Sequence, residues 1–265
     1  MQHLANKTVI ITGSTRGIGK TTAFAFLAAG ANVVINGRSK EKMAEIQREF
    51  ADKGFHPLAV VADVSCVNDC KFLVRSALEK FGRIDYLINN AGLSIRGRFE
   101  DLRPETIPEI ITSNLLTALY ATRTVLPEII KTRGSIVFIS SFAAIHGIPN
   151  LSLYSAAKAG MEAFTESLRI ELLPYKVHVG LIHVGIVDNY PDKKVMGHDG
   201  SYITVSRKGQ ISEEEVAQAV LRMVSRRRTM MNLTLLAKLM YFLEKVSPTL
   251  VHYFLRFTMD SEKYK

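Results

Sequence analysis

Tyr154 and Lys158 stand four residues apart, a spacing that puts both side chains on one face of a helix, one turn apart. A free phenol has a pKa of about 10 and exchanges its proton poorly near neutrality; a neighbouring ammonium favours the phenolate and brings the group closer to working range. Such a pair can pass a proton to or from an oxygen, with Tyr154 as acid or base and Lys158 as its electrostatic tuner. Taken alone, a Tyr-x-x-x-Lys is a common accident. Ser140 and Ser141 precede it at the end of an apolar run, where catalytic groups collect in α/β sheets. A second chemistry lies near the N-terminus, in Thr12-Gly-Ser-Thr-Arg-Gly-Ile-Gly19. Glycines there let the backbone turn tightly and approach a pyrophosphate, whose charge the free N–H groups of a following helix stabilise.

These groups need elements to carry them. Short β-branched runs, Thr8–Thr12, Asn32–Asn36, His56–Val61, Tyr86–Asn89, Gly134–Ser140 and His178–His183, alternate with stretches of three-to-four-residue periodicity, among them Thr21–Ala29, Glu41–Lys53, Cys70–Phe81 and Tyr154–Leu173. Runs nearly continuous in apolar residues fit parallel strands covered on both faces. The alternation predicts βαβ units and an α/β fold: one Rossmann-like, doubly wound parallel sheet with helices on both faces. In this reading the glycine turn falls between the first strand and the first helix, where a dinucleotide phosphate would sit.

The glycine spacing, Gly13, Gly17 and Gly19, differs from the common Gly-x-Gly-x-x-Gly fingerprint. It resembles the turn of the short-chain dehydrogenase/reductase family. Further matches follow in that family's order: Asp63-Val64 after the third strand, Asn89-Asn-Ala-Gly92 after the fourth, Ser141 after the fifth, and Tyr154-x-x-x-Lys158 on the next helix. The resemblance covers roughly residues 5 to 225. It implies a reductase or dehydrogenase moving a hydride between a nicotinamide cofactor and a ketone or alcohol. It also selects Ser141 over Ser140, since the thirteen residues to Tyr154 match the family spacing. The catalytic set it implies is Ser141, Tyr154, Lys158 and Asn114, with Lys158 also holding the nicotinamide ribose and Asn114 supporting the lysine through water. The cofactor contacts it implies are Gly13, Ser14, Thr15, Arg16, Gly17, Ile18 and Gly19, then Asp63 and Val64 beside the adenine, Asn90, Ala91 and Gly92, and Gly185 and Val187 near the nicotinamide. One departure stands out: Val184 replaces the family's usual proline and Asn189 its threonine.

The second strand ends in Asn36-Gly37-Arg38, without the carboxylate that grips the ribose 2′-OH of NAD. Arg38 and Arg16 instead resemble the basic pair that short-chain reductases use for the 2′-phosphate, and a guanidinium binds phosphate with two charge-assisted hydrogen bonds. The expected cofactor is NADP(H). A catalytically silent NADP(H)-binding sensor is the alternative, and the presence of both Tyr154 and Lys158 argues against it.

Composition narrows the partners. The chain has 265 residues, 47% hydrophobic and 22% charged, enough apolar surface for a folded globule. Cys66 and Cys70, the only cysteines, complete neither a metal site nor a disulfide framework, and His146, His178 and His183 lack ligand spacing; no metal is expected. These histidines read as packing or surface residues, although His146, between Ser141 and Tyr154, could touch substrate. No nucleic-acid motif is present. Without a signal-like apolar segment at the N-terminus, a cytoplasmic location is expected. Net charge is +9, of which +5 falls in residues 226–265. The catalytic domain is read as residues 1–228, with a polar substrate lid over about 186–210. Residues 229–265 form a helical C-terminal extension, apolar at Leu236, Leu239, Met240 and Leu243. Too short in its apolar run to span a bilayer, it would pack on the domain, on a partner subunit in a homodimer or homotetramer, or on a membrane surface. This ending resembles the steroid- and retinoid-type branch of the family, whose tail shapes a pocket for bulky apolar substrates.

Overall fold

The computed structural model describes residues 4–188, 194–205, 209–249, 251 and 253. Strands β1 (Thr8–Ile11), β2 (Asn32–Gly37), β3 (Leu58–Val61), β4 (Tyr86–Asn89), β5 (Ser135–Ser141) and β6 (His178–Val184) lie within two residues of the runs expected from sequence. All four residues of β1 and all seven of β5 and β6 are buried, as strands covered on both faces must be. The helices between them are α1 (Gly17–Ala28), α2 (Lys40–Asp52), α3 (Val67–Phe81), α4 (Thr106–Ile111), α5 (Thr117–Thr132) and α6 (Ser152–Glu171). Beyond β6 come two short strands, β7 (Lys194–Met196) and β8 (Tyr202–Thr204), then α7 (Glu213–Arg226), β9 (Met230–Asn232) and α8 (Leu235–Val246).

The main sheet has seven parallel strands in the order β3-β2-β1-β4-β5-β6-β9. Successive connections run outward from β1 in one direction and then from β4 in the other. The reversal between β1 and β4 leaves a crevice at the carboxyl ends of the strands, the place where open α/β sheets bind ligands. One core layer joins α1 and α7 to one face of the sheet, with Phe26, Ile35, Ile88, Ile182 and Val220 at its centre. The other joins α3, α5 and α6 to the opposite face through Leu73, Val125, Phe138 and Met161.

Two features depart from the sequence expectation. The sheet has a seventh strand, β9, which lies within the segment read as C-terminal extension and pairs Met230, Met231 and Asn232 with Leu181, Ile182 and His183 of β6. At three half-buried residues it is too short to show a period. The segment read as a polar lid holds an antiparallel ribbon, with Lys194, Val195 and Met196 opposite Thr204, Ile203 and Tyr202. This ribbon is tied down by the Ile95–Met196 bridge. After it, Ser212 caps α7: Ser212 Oγ accepts from Glu215 N (3.1 Å), and Glu215 Oε2 accepts from Ser212 N (2.8 Å).

Candidate active site

The glycine turn bridges β1 and α1 and is held from behind. Thr12 Oγ1 accepts the backbone N–H groups of Asn90 and Ala91, both at 3.0 Å. Asn90 Nδ2 in turn donates to the carbonyls of Thr12 and Gly13, each at 3.0 Å. This reciprocal brace locks the turn after β1 to the loop after β4 across the crevice. Gly13 has φ +62°, and a Cβ there would lie 2.9 Å from Ala91 Cα, so only glycine fits. At α1, Arg16 occupies the N-cap without a side-chain capping bond, and the first turn carries no acid. That leaves the helix N-terminus suited to an anion.

Thr15, Arg16, Gly17 and Ile18 line a cleft of about 860 Å³ along the carboxyl ends of the strands. Ser14 and Gly19 do not. Ser14 is fully buried, donating from Oγ to Ile11 O (2.8 Å) and accepting from Asn36 N (2.8 Å), while Gly19 sits against Asn90 Nδ2 and Gly13 O. Both build the turn from behind. Gly37 faces Thr15, whose Cγ2 would be 2.5 Å from a Cβ there. Asp63, Val64, Asn90, Ala91 and Gly92 all line the cleft.

Arg38 lines the end of the cleft beside Arg16; its Nη1 is 3.9 Å from Asp63 Oδ2 and its side chain is 69% exposed. Lys42, unread from sequence, lines the same end. Its signal was faint: the first turn of α2 carries Lys40 and Lys42 on either side of Glu41. Asn36, also missed, stitches the strand ends, donating from Nδ2 to Ala62 O (3.0 Å) and accepting from Gly13 N (3.4 Å).

Deeper in, Lys158 projects from α6 and donates from Nζ to Ile139 O at 2.9 Å. It is 4% exposed, and burial lowers its pKa to about 8. Tyr154, one turn earlier, is half-buried, with its ring centroid 5.8 Å from Lys158 Nζ. Gly92 lets the lysine and Asn114 share one corner: a Cβ there would be 2.9 Å from Asn114 Oδ1 and 3.8 Å from Lys158 Nζ. Asn114 lies in a π-helical turn, Thr112–Leu116, between α4 and α5, a distortion that often marks functional sites. Its Nδ2 donates to Leu93 O (2.7 Å) and Ile110 O (3.0 Å), and its Oδ1 accepts from Leu93 N (3.2 Å).

Ser141 closes β5, with Oγ accepting from Ala143 N at 3.2 Å. Ser140 also lines the cleft, its hydroxyl buried without a partner among the described residues. Val184, in the usual proline position, extends the β6 ladder to sit opposite Ser141. Gly185 and Val187 line the cleft beyond it, whereas Asn189 lies outside the described residues. The remaining lining is mixed: Ile95, Phe142, Ala143, Ile148, Pro149, Leu151 and Val195 give it an apolar part, and Arg96, Glu109, Ser113, Asn150 and Lys194 a polar one. This wall, drawn from three separate loops, was not legible as a unit. Of the histidines, His178 and His183 are buried, and His146 turns away from the cleft to bond Glu244.

The arrangement joins an anion-binding turn, a basic end, a buried lysine beside a tyrosine, and a partly apolar wall. It suits a dinucleotide laid along the strand ends with its reactive end beside Tyr154. The short chain dehydrogenase profile matches residues 7–196. The Arabidopsis thaliana protein named 11-beta-hydroxysteroid dehydrogenase-like 4A is 34% identical over 256 residues, covering 94% of this chain and 84% of that protein. Dehydrogenase/reductase SDR family member 7B of Xenopus laevis is 34% identical over 259 residues, 94% of this chain and 80% of its own. Among solved structures, an alcohol dehydrogenase from the archaeon Thermococcus sibiricus, complexed with 5-hydroxy-NADP, superposes with a TM-score of 0.74 at 27% identity, over 86% of this chain and 95% of that one. A profile spanning most of the chain, and relatives aligned along nearly all of it, give the glycine turn and the buried lysine their common origin: the chain belongs to the short-chain dehydrogenase/reductase family of nicotinamide-dependent oxidoreductases acting between CH–OH and C=O.

Proposed function

We propose that this protein is an NADP(H)-dependent carbonyl reductase or alcohol dehydrogenase acting on an apolar, lipid-like ketone or secondary alcohol. The observation that carries the reading is the pairing of the Arg16, Arg38 and Lys42 end of the cleft with a group of apolar lining residues, Ile95, Phe142, Ile148, Leu151 and Val195, in an otherwise mixed lining. Three cations and no acid of the NAD type at the end of β2 suit a 2′-phosphate. The wall beside Tyr154 suits a hydrocarbon substrate. The names of the relatives, hydroxysteroid dehydrogenases among them, point the same way.

Once bound, the dinucleotide supplies or accepts the hydride. The chain's own residues handle the oxygen. In the reducing direction Ser141 Oγ donates a hydrogen bond to the substrate carbonyl, and Tyr154 Oη delivers the proton as the oxygen gains charge. Lys158 remains largely protonated at neutral pH even with its pKa lowered to about 8, so it favours the phenolate that Tyr154 becomes. Gly92 and Asn114 fix the corner in which that lysine sits.

Outside the cleft, α8 turns an apolar stripe to solvent: Leu235 (81% exposed), Leu239, Phe242 (63%) and Val246, beside Lys238 and Lys245. No helix among the described residues is long and apolar enough to cross a membrane. We read the stripe as a contact face, for an anionic membrane surface in a peripheral attachment or for a second subunit.

The test is oxidation of NADPH and of NADH against long-chain methyl ketones, steroid ketones and small polar ketones, with Tyr154→Phe beside the wild type. Turnover of the apolar ketones with NADPH, reduced at least about a hundredfold in Tyr154→Phe with NADPH affinity unchanged, is the expected result. Tight NADPH binding without turnover of any ketone would instead identify a sensor.

A further inference from the structure

While its outer face meets solvent, the inner face of α8 is fastened at three points to the domain around the cleft. At its start, Thr234 caps the helix by accepting from Ala237 N (3.2 Å) and presses on Gly185, where a Cβ would lie 2.5 Å from Thr234 Cγ2. In its middle, the Tyr241 ring lies 6.1 Å from that of His183, a fully buried side chain. The nitrogens of His183 lie 2.7 Å from Asn232 Oδ1 and 3.0 Å from Glu162 Oε2, and Glu162 is one turn beyond Lys158 on α6. In its last turn, Glu244 Oε2 lies 3.1 Å from His146 Nδ1.

The third contact matters most because of where His146 lies. The chain from Phe142 to Leu151 leads from Ser141 to the helix of Tyr154, and six of its residues line the cleft. Its far half is anchored: Ser155 Oγ accepts from Ile148 N (3.3 Å) and Asn150 O from Gly97 N (3.0 Å). Its near half starts in the turn that Ser141 caps. The apex between them is loosely held: Gly147 is exposed, and a Cβ there would meet nothing within 4 Å. His146 supplies the side-chain tie at that apex, and both partners of the pair are about three-quarters buried, where a charge-assisted contact outweighs an exposed one.

We propose that Glu244 and His146 are positioning residues for substrate, tethering the apex of the Ser141–Tyr154 loop to α8 and so setting the apolar wall of Phe142, Ile148 and Leu151 against Tyr154. The role in substrate binding rests on the reductase reading; the tether does not. Specificity for the apolar part of the substrate then depends on a residue of the C-terminal helix that does not itself line the cleft.

The experiment compares wild type, Glu244→Ala, Glu244→Gln, His146→Ala and the double alanine variant in the full chain. Amide hydrogen exchange reads the tether, and KM and kcat for 2-dodecanone with NADPH read its consequence. Glu244→Ala is expected to speed exchange at Ile145–Gly147 about tenfold and raise KM by a similar factor. It leaves kcat within about twofold and NADPH affinity unchanged. Glu244→Gln, which keeps an acceptor, recovers most of both effects, and the double variant is no worse than either single one, as for two halves of one contact. Unchanged exchange in Glu244→Ala, or costs that add in the double variant, would overturn the tether. A rise in exchange without a rise in KM would overturn the positioning role. If the wild type does not turn over 2-dodecanone, that counts against the reductase reading, and the exchange results still decide the tether.

Discussion

Lys158 has a stability cost as well as a chemical role. Below about pH 8 the folded and unfolded chains both carry the ammonium, so the whole desolvation penalty is present. Between pH 8 and the ordinary lysine value of 10.5 the folded chain gives up its proton first, and the penalty fades. Lys158→Met in the cofactor-free protein should therefore gain up to about 3 kcal/mol at pH 7, less the lost bond to Ile139 O. The gain should vanish towards pH 10.5; denaturant unfolding at the two pH values checks it, and an equal gain at both would exclude burial as its source. At the other end of the cleft, Arg38→Ala and Lys42→Ala should each weaken NADPH binding about tenfold or more while leaving NADH nearly unaffected, as measured by fluorescence titration. The glycine turn and the Tyr154–Lys158 pair were legible because their chemistry needs local spacing. Thr12, Asn36 and the apolar wall were not, since their meaning comes from strand ends far apart in sequence and brought together only by the sheet.

At the scale of elements, legibility followed length and apolar continuity. Six strands announce themselves as apolar runs of four to seven residues, the half-buried edge strand β3 among them, whereas β9, at the other edge, has three residues and leaves no pattern. What holds β9 in place is partly a histidine. His178, at the start of β6, is buried with Nε2 2.7 Å from Arg228 O, and burial lowers its pKa to about 4. Between the ordinary value of 6.5 and 4, the unfolded chain takes up a proton that the folded one refuses, so stability falls as pH drops through that window, by up to about 3 kcal/mol. His178→Gln, which keeps a donor for Arg228 O, should flatten this acid slope; melting temperatures from pH 7 to 4 test it. A slope unchanged in the variant would assign the acid sensitivity to other groups.

At the scale of the molecule, α8 buries Ala237 and Met240 against the domain and turns an apolar stripe to solvent. Replacing Leu239 and Phe242 by serine removes side chains that are 51% and 63% exposed, so thermal stability should barely move. Co-sedimentation with anionic vesicles, or self-association by light scattering, should fall several-fold, and whichever falls identifies what covers the stripe. If neither changes, the stripe is not a contact face. The attachment of α8 to the cleft was beyond sequence reasoning: Glu244 and His146 are separated by 98 positions, and neither residue type announces a partner.

The strand order has a further consequence for the chain as it is made. β1 sits between β2 and β4, and Val9, Ile10 and Ile11 find their second set of neighbours only in Tyr86, Leu87 and Ile88. A ribosome that has released residues up to Val61 has made three adjoining strands, yet one side of β1 is an open row of backbone donors and acceptors flanked by wholly apolar side chains, the kind of edge that pairs with whatever strand arrives first. Until β4 is made that edge of β1 stays open, and the arrival of β4 both covers it and delivers Asn90 and Ala91 to Thr12. Covering the edge of β1 and bracing the glycine turn thus depend on one pairing, that of β1 with β4.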